Sequence, residues 1–188
     1  MPDVGVRRDA VVLEDFRSTM RRIASTVTVL STSLQGKRFG MTATSVTSVS
    51  FAPPSLLTII NQSASIYDPL LASGRFCVNI LFRGQGEYCE AFSGRRKGEE
   101  RFQIGDWVEE SGIPSLREAQ ANVFCEIDRV LPYGTHAVVI AKVTRARSKL
   151  EISPLLYLDG LARNLAIDEL HERPAPEAVV ASVAKTTP

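Results

Sequence analysis

Charge is missing from one long stretch of this 188-residue chain: no acidic or basic side chain occurs from Met41 to Tyr67. Histidine is nearly missing too, with only His136 and His171, and no acidic cluster stands near either. No metal centre is expected from so few ligands. The cysteines are Cys77, Cys89 and Cys125, odd in number and widely spaced. That pattern excludes a disulfide frame or a zinc knuckle and reads as small apolar residues in a reducing compartment, so a cytoplasmic location is expected. The formal net charge is only +1, which leaves no broad basic field for nucleic acid or an anionic membrane. No segment approaches the ~20 apolar residues that span a bilayer, and the first residues lack a cleavable apolar run. A dinucleotide fingerprint is absent as well. Gly84-Gln85-Gly86 opens like one, but Cys89 stands where the third glycine belongs, so the segment reads as a loop. Asn61-Gln62-Ser63 fits a glycosylation acceptor by chance, and Ser182-Val-Ala-Lys185 lies in an unanchored tail.

What is present is enough for one domain with a real core. Residues 1–13 read as a flexible N-terminal arm, 14–172 as the domain, and 173–188, rich in Pro and Ala, as a disordered tail. Helical spacing of Phe16, Met20 and Ile23 predicts a short helix over Asp15–Ala24. Strands are predicted at Val27–Thr32 and Arg38–Ser50, joined by a turn at Gln35-Gly36-Lys37, and then at Ser55–Ile60 and Phe76–Leu81. Helices are expected at Ile66–Ser73, stopped by Gly74, and at Glu87–Phe92. Ser93–Gln103 reads as a charged loop. Ala121–Leu131 and Thr135–Arg145 read as longer strands, Pro154–Leu158 as a short one, and Ala162–His171 as a last helix. Many strands, short turns and few helices favour an antiparallel barrel over βαβ units. No internal repeat is found.

Three features carry chemistry. Six of the nine residues from Thr42 to Ser50 are Ser or Thr. Aliphatic residues fill a core at lower cost, because a buried hydroxyl needs a partner. Small hydroxyls and bare amides suit a large, flat, polar ligand, although Thr is also common on half-exposed strands. The turn Asn61-Gln62-Ser63-Ala64-Ser65 leads into a helix, where free amides hold an anion or a serine simply caps the helix. Arg95, Arg96, Lys97 and Arg101 beside Phe102 form either a phosphate clamp or a solvated loop.

In this order, the segments resemble the short-chain flavin reductases, the reductase components of two-component flavin-dependent monooxygenases. The resemblance runs from about Phe16 to Leu165. Its most specific block is Gly40-Met-Thr-Ala-Thr-Ser-Val-Thr-Ser-Val-Ser-Phe-Ala-Pro-Pro54. Asn61–Ser65, Ser73–Leu81, Arg101-Phe102, Gly134-Thr135-His136 and Pro154–Tyr157 support it. It implies a mainly β fold, a six-stranded antiparallel Greek-key split barrel with a few short helices, forming a homodimer. It implies FMN or FAD as cofactor and NADH or NADPH as co-substrate. Flavin-binding residues implied are Thr42, Thr44, Ser45, Val46, Thr47, Ser48, Asn61, Gln62, Ser63, Ala64, Arg101 and Phe102. His136 and Tyr157 would flank the nicotinamide. The family often has Gly-Asp-His where this chain has Gly134-Thr135-His136, and the residues after Tyr157 lack a second aromatic often found there.

The expected activity is reduction of FMN or FAD by NAD(P)H, with reduced flavin delivered to a separate oxygenase. No side chain is needed as acid, base or nucleophile. Two other readings remain open at this level. One is a protein of the same fold that keeps its flavin as oxidase or storage protein. The other is a β-barrel interaction module without cofactor.

Overall fold

The structure, a computed structural model, describes residues 4–164. It opens on helix α1, Val4–Met20. The sequence reading expects a loose arm followed by a helix from Asp15 to Ala24. The helix instead begins earlier and ends at Met20, and no proline interrupts that stretch. From Ala10 onward it stands exposed. Strands follow at β1 (Ser25–Thr26), β2 (Thr28–Leu34), β3 (Lys37–Ala43), β4 (Val46–Phe51) and β5 (Pro54–Asn61). Next come α2 (Tyr67–Ser73), closed by Gly74 in the left-handed region, and β6 (Arg75–Ile80). Helix α3 (Gly86–Glu90) runs into a π-helical turn, Ala91–Arg95, and then a 3-10 segment, Gly98–Gln103. The chain ends in β7 (Trp107–Glu110), β8 (Ile113–Leu116), β9 (Ala121–Tyr133), β10 (His136–Ser148), β11 (Leu155–Leu158) and β12 (Leu161–Asn164). No helix among the described residues is long and apolar enough to cross a membrane.

The main sheet has seven strands, not six, in the order β3-β2-β6-β9-β10-β5-β4. All neighbours are antiparallel. The predicted strand Arg38–Ser50 breaks at Thr44-Ser45, and its halves lie on opposite edges of the sheet. Two residues cannot bridge a flat sheet of that width, with strands ~4.8 Å apart, so the sheet must curl until the end of β3 lies beside the start of β4. Beside this crossing the Ser45 hydroxyl extends the β4–β5 pairing. It donates to the Ile59 carbonyl (2.9 Å) and accepts from the Ile59 amide (3.2 Å).

Strand β2 is buried on both faces, which is why it reads as a near-continuous run rather than an alternation. Leu30 points into a core with Leu56, Ile60, Leu70, Phe76 and Val139. Val29 points into a second, with Leu81, Phe92, Phe102, Leu116 and Leu155. That second core lies under α3, the π-turn and the 3-10 segment.

The hairpins β7–β8 and β11–β12 escape the sequence reading, which places a helix from Ala162 where the described residues continue as strand. The remainder of that expected helix, and the tail 173–188, lie outside the described residues. Both turns had a signal. Ser111-Gly112 and Asp159-Gly160 are two-residue turns with positive φ at both positions, and Asp-Gly is a strong hairpin dipeptide. Gln35-Gly36 is a third turn of this kind, at the expected place.

Asn79, fully buried, ties β2, β8 and β9 to β6. Its amide donates to the Val29 carbonyl and the Ser31 hydroxyl, both at 2.8 Å. Its carbonyl accepts from the Leu116 amide and the Asn122 amide group, also at 2.8 Å. Burial of so polar a group is tolerated because every bond is made. Replacing Asn79 with Ala strands several buried partners, so a loss of about 3–5 kcal/mol is expected in chemical denaturation. A loss below ~1 kcal/mol would mean that water or rearrangement replaces the network.

Candidate flavin site

A cleft of about 440 Å³ opens where the end of β3 meets the loop before α2 and the π-turn. Met41 to Thr44 form one side, Ala64 and Ser65 another, and Ser93 and Gly94 a third, with Arg101 at one border and Tyr157 at another. The close approach of β3 to the π-turn depends on Gly40. A Cβ there would fall 2.6 Å from the Phe92 ring. The Cys89 carbonyl fastens the two elements, accepting from the hydroxyls of Thr42 (2.9 Å) and Ser93 (2.5 Å). Gly94, at φ 111, provides the sharp exit from the π-turn.

The basic cluster divides sharply. Arg95 pairs with Glu90 (2.8 Å). Arg96 reaches the Glu100 carbonyl (3.5 Å). Arg101 turns into the cleft: its Nε donates to the Arg96 carbonyl (2.8 Å), and its Nη1 to the Gly40 carbonyl (2.6 Å) and the Ser65 hydroxyl (3.4 Å). Among the described residues, no carboxylate lies within 4.0 Å of it. The nearby carboxylate of Glu99 is engaged by Arg38 in a fork of 2.9 and 2.6 Å. The hydrogen bond from Arg38 holds the Glu99 carboxyl below its usual range. Arg101 is thus a fixed cation whose remaining N–H groups face a site without a counter-charge, which fits an anionic group such as a phosphate.

Phe102 does not share that role. Its side chain is buried in the second core, 5.2 Å from Phe92 and 4.9 Å from Trp107 between ring centres, with the Arg38 guanidinium above it. It sets the wall's position from behind; its ring does not line the cleft.

The hydroxyl row splits as well. Thr42 and Ser45 spend their hydroxyls on the Cys89 carbonyl and on Ile59, and Ser50 accepts from the Ala52 amide. Thr44, Thr47 and Ser48 are exposed. Of these three, Thr44 lines the cleft. Val46 is half-buried and packs on the first core.

The Asn61–Ser65 turn also differs from the expectation of free amides. The Asn61 side chain accepts from the amide (2.9 Å) and hydroxyl (2.8 Å) of Ser63. The amides of Gln62 and Ala64 donate to the carbonyls of Thr135 and Asn61. Gln62 donates from its side chain to the His136 carbonyl (2.9 Å). Neither Ser63 nor Ser65 caps α2. Ala64 and Ser65 reach the cleft; Asn61, Gln62 and Ser63 build the turn that presents them.

His136 opens β10 beside Asn61, exposed, with its Nδ1 2.9 Å from the Thr135 hydroxyl. Tyr157 lines the cleft and His136 does not, so one chain does not bring the two together. The sequence reading missed Ser65, Ser93 and Gly94 as lining residues. The Ser93-Gly94 dipeptide, a turn signal, is what pointed to them.

The flavin reductase like domain model matches residues 20–166. The chain belongs to that family. It is 42% identical over 147 residues to the reductase component of an FADH2-dependent resorcinol hydroxylase from Rhizobium sp. (strain MTP-10005), covering 77% of this chain and 82% of that protein. It is 36% identical over 143 residues to the FMN reductase (NADH) RutF of Pseudomonas syringae pv. syringae, covering 76% of this chain and 80% of that one. Among solved structures, the NADH:FAD oxidoreductase SgcE6 of Streptomyces globisporus C-1027, in complex with NAD and FAD fragments, superposes with a TM-score of 0.77 at 29% identity, over 82% of this chain and 93% of that chain. These relatives support an NAD(P)H-dependent flavin reductase, with flavin and a nicotinamide nucleotide as its two redox partners.

Gly40→Ala should push Phe92 out of place, lower stability by about 1–3 kcal/mol and widen the cleft. Adding Phe92→Leu should restore stability in thermal unfolding. If the single variant matches wild type, the close approach is not a constraint.

Proposed function

We propose that the chain reduces FMN or FAD with NADH or NADPH and releases the reduced flavin to a separate oxygenase component. The observation that carries this is the Arg101 guanidinium, fixed by carbonyls and unopposed by a carboxylate, at one border of an otherwise uncharged cleft. Arg101 and Ser65 would hold the flavin phosphate, with the Ala64 turn beside the ribityl chain. Thr42 to Ser48 would run along the ring system, Thr44 nearest.

Bound flavin and reduced nicotinamide supply the hydride chemistry themselves. This chain's residues have to bind, orient and shield. Among the described residues, the cleft lining contains no carboxylate, histidine or lysine. Cys89 lies on that lining, and burial pushes its thiol pKa up. Tyr157 offers an aromatic face against which a flat ring can be held near its partner, and His136 would help from the Asn61 side. A site of small neutral groups with one fixed cation favours loose binding and release over permanent retention.

The curled sheet supports a split barrel as the finer description of the fold, within a domain spanning 14–172. Exposed Phe51, Leu131 and Tyr133 support a homodimer, since apolar groups of this size seldom face water without purpose. Three free buried cysteines support the cytoplasm as its setting.

FMN should raise the melting temperature of the wild type. Arg101→Ala should weaken FMN by about 1.5–3 kcal/mol and riboflavin hardly at all, since only FMN carries the phosphate. Equal weakening of both ligands in a fluorescence titration would remove Arg101 from the phosphate.

His136→Ala should leave the fold and FMN affinity intact while raising KM for NADH, lowering kcat, or both. Steady-state NADH oxidation decides. Unchanged kinetics would return His136 to a purely structural role at the start of β10.

A further inference from the structure

The cleft continues past Tyr157 and Thr44. Both residues also line a second hollow of about 430 Å³, whose far wall is α1 with Phe16, Arg17, Met20 and Arg21. Arg17 and Arg21 lie one helical turn apart, so their side chains share a face. They also border a third hollow of about 770 Å³ on the other side. Glu14 lines that third hollow and Asp159 lines both, yet among the described residues neither carboxylate lies within 4.0 Å of Arg17 or Arg21. The helix is tethered here, because the Asp159 amide donates to the Arg21 carbonyl (3.1 Å). Beside the arginines, Phe16 and Met20 present exposed apolar surface.

We infer that Arg17 and Arg21 form a second anion site, which takes the diphosphate of a dinucleotide whose ring end lies at Tyr157. The inference rests on the flavin reductase reading and deepens it. If the flavin phosphate occupies Arg101, a dinucleotide stacked at Tyr157 has to lead its own diphosphate out elsewhere. The hollow under α1 adjoins Tyr157 and supplies two arginines, neither of them ion-paired among the described residues, against the single carboxylate of Asp159. Guanidinium groups suit a diphosphate because each presents paired N–H donors in a plane. Phe16 and Met20 offer the apolar cover that a purine ring prefers. That diphosphate is the pyridine dinucleotide's, because the first phosphate of FAD is the flavin phosphate already placed at Arg101, and FAD binding serves as the comparison.

The test compares wild type, the double variant Arg17→Gln/Arg21→Gln, and Arg22→Gln. Arg22 borders only the outer hollow and serves as a control for loss of a nearby positive charge. Affinities for FMN and FAD are read by flavin fluorescence, and KM for NADH is read with FMN as acceptor. The expected result for the double variant is affinity for FMN and for FAD within twofold of wild type, with KM for NADH raised at least fivefold. Raised salt should shrink that difference, because these arginines are exposed. The inference is overturned if KM for NADH stays within twofold, if FMN or FAD binding weakens at least fivefold, or if Arg22→Gln raises KM as much. A flavin-binding wild type with unchanged variants removes only this site; a wild type that binds no flavin removes the flavin reductase reading itself.

Discussion

Strands β3 and β4 are consecutive in the chain yet lie on opposite edges of a seven-stranded sheet, joined by Thr44 and Ser45 alone. Everything else follows from that constraint. The sheet has to curl, and curling encloses one core inside and leaves the outer face of β2 to be covered by other elements. It also brings the end of β3 beside the start of β4. Ser45 ties that start to β5 through Ile59, and Thr44 beside it is left exposed at the cleft.

The covering layer then builds the site. Phe102 packs edge to face on both Phe92 and Trp107, which tilt against each other, and the three rings wedge the π-turn and 3-10 segment against β3. Gly40 lets Phe92 come close, and the Cys89 carbonyl binds hydroxyls from both sides of the contact. Arg38 occupies Glu99, which lies on the same 3-10 segment as Arg101. Glu99 is thereby engaged by Arg38, while Arg101 is held by the carbonyls of Arg96 and Gly40.

A cleft of this kind suits a protein that hands its ligand on. Small hydroxyls, backbone groups and one fixed cation can orient a flat, phosphorylated molecule without enclosing it. A flavin reductase working with a separate oxygenase needs such moderate affinity, and the resorcinol hydroxylase reductase component among its relatives is named for such a pairing.

The uncharged, hydroxyl-rich block Thr42–Ser50 and the order of motifs around it were enough to point to a mainly β flavin reductase, because residue type at fixed spacing records what a site must contact. Turn dipeptides recorded local geometry equally well: Gln35-Gly36 was readable, and Asp159-Gly160 was readable but overlooked. Local pattern could not reveal that Arg38–Ser50 is two strands, since the break at Thr44-Ser45 is imposed by closure of the sheet and carries no Gly or Pro. Nor could it tell which hydroxyls are free. Thr42 and Ser45 are spent on carbonyls from residues distant in the chain, while Thr44, of the same chemistry, lines the cleft. Phe102 and Arg101 are neighbours in sequence, yet one is buried among aromatics and the other turns into the cleft. Residue identity follows from the chemistry required; which face each residue turns to the site depends on the packing of segments far apart in the chain, and only the tertiary structure decides it.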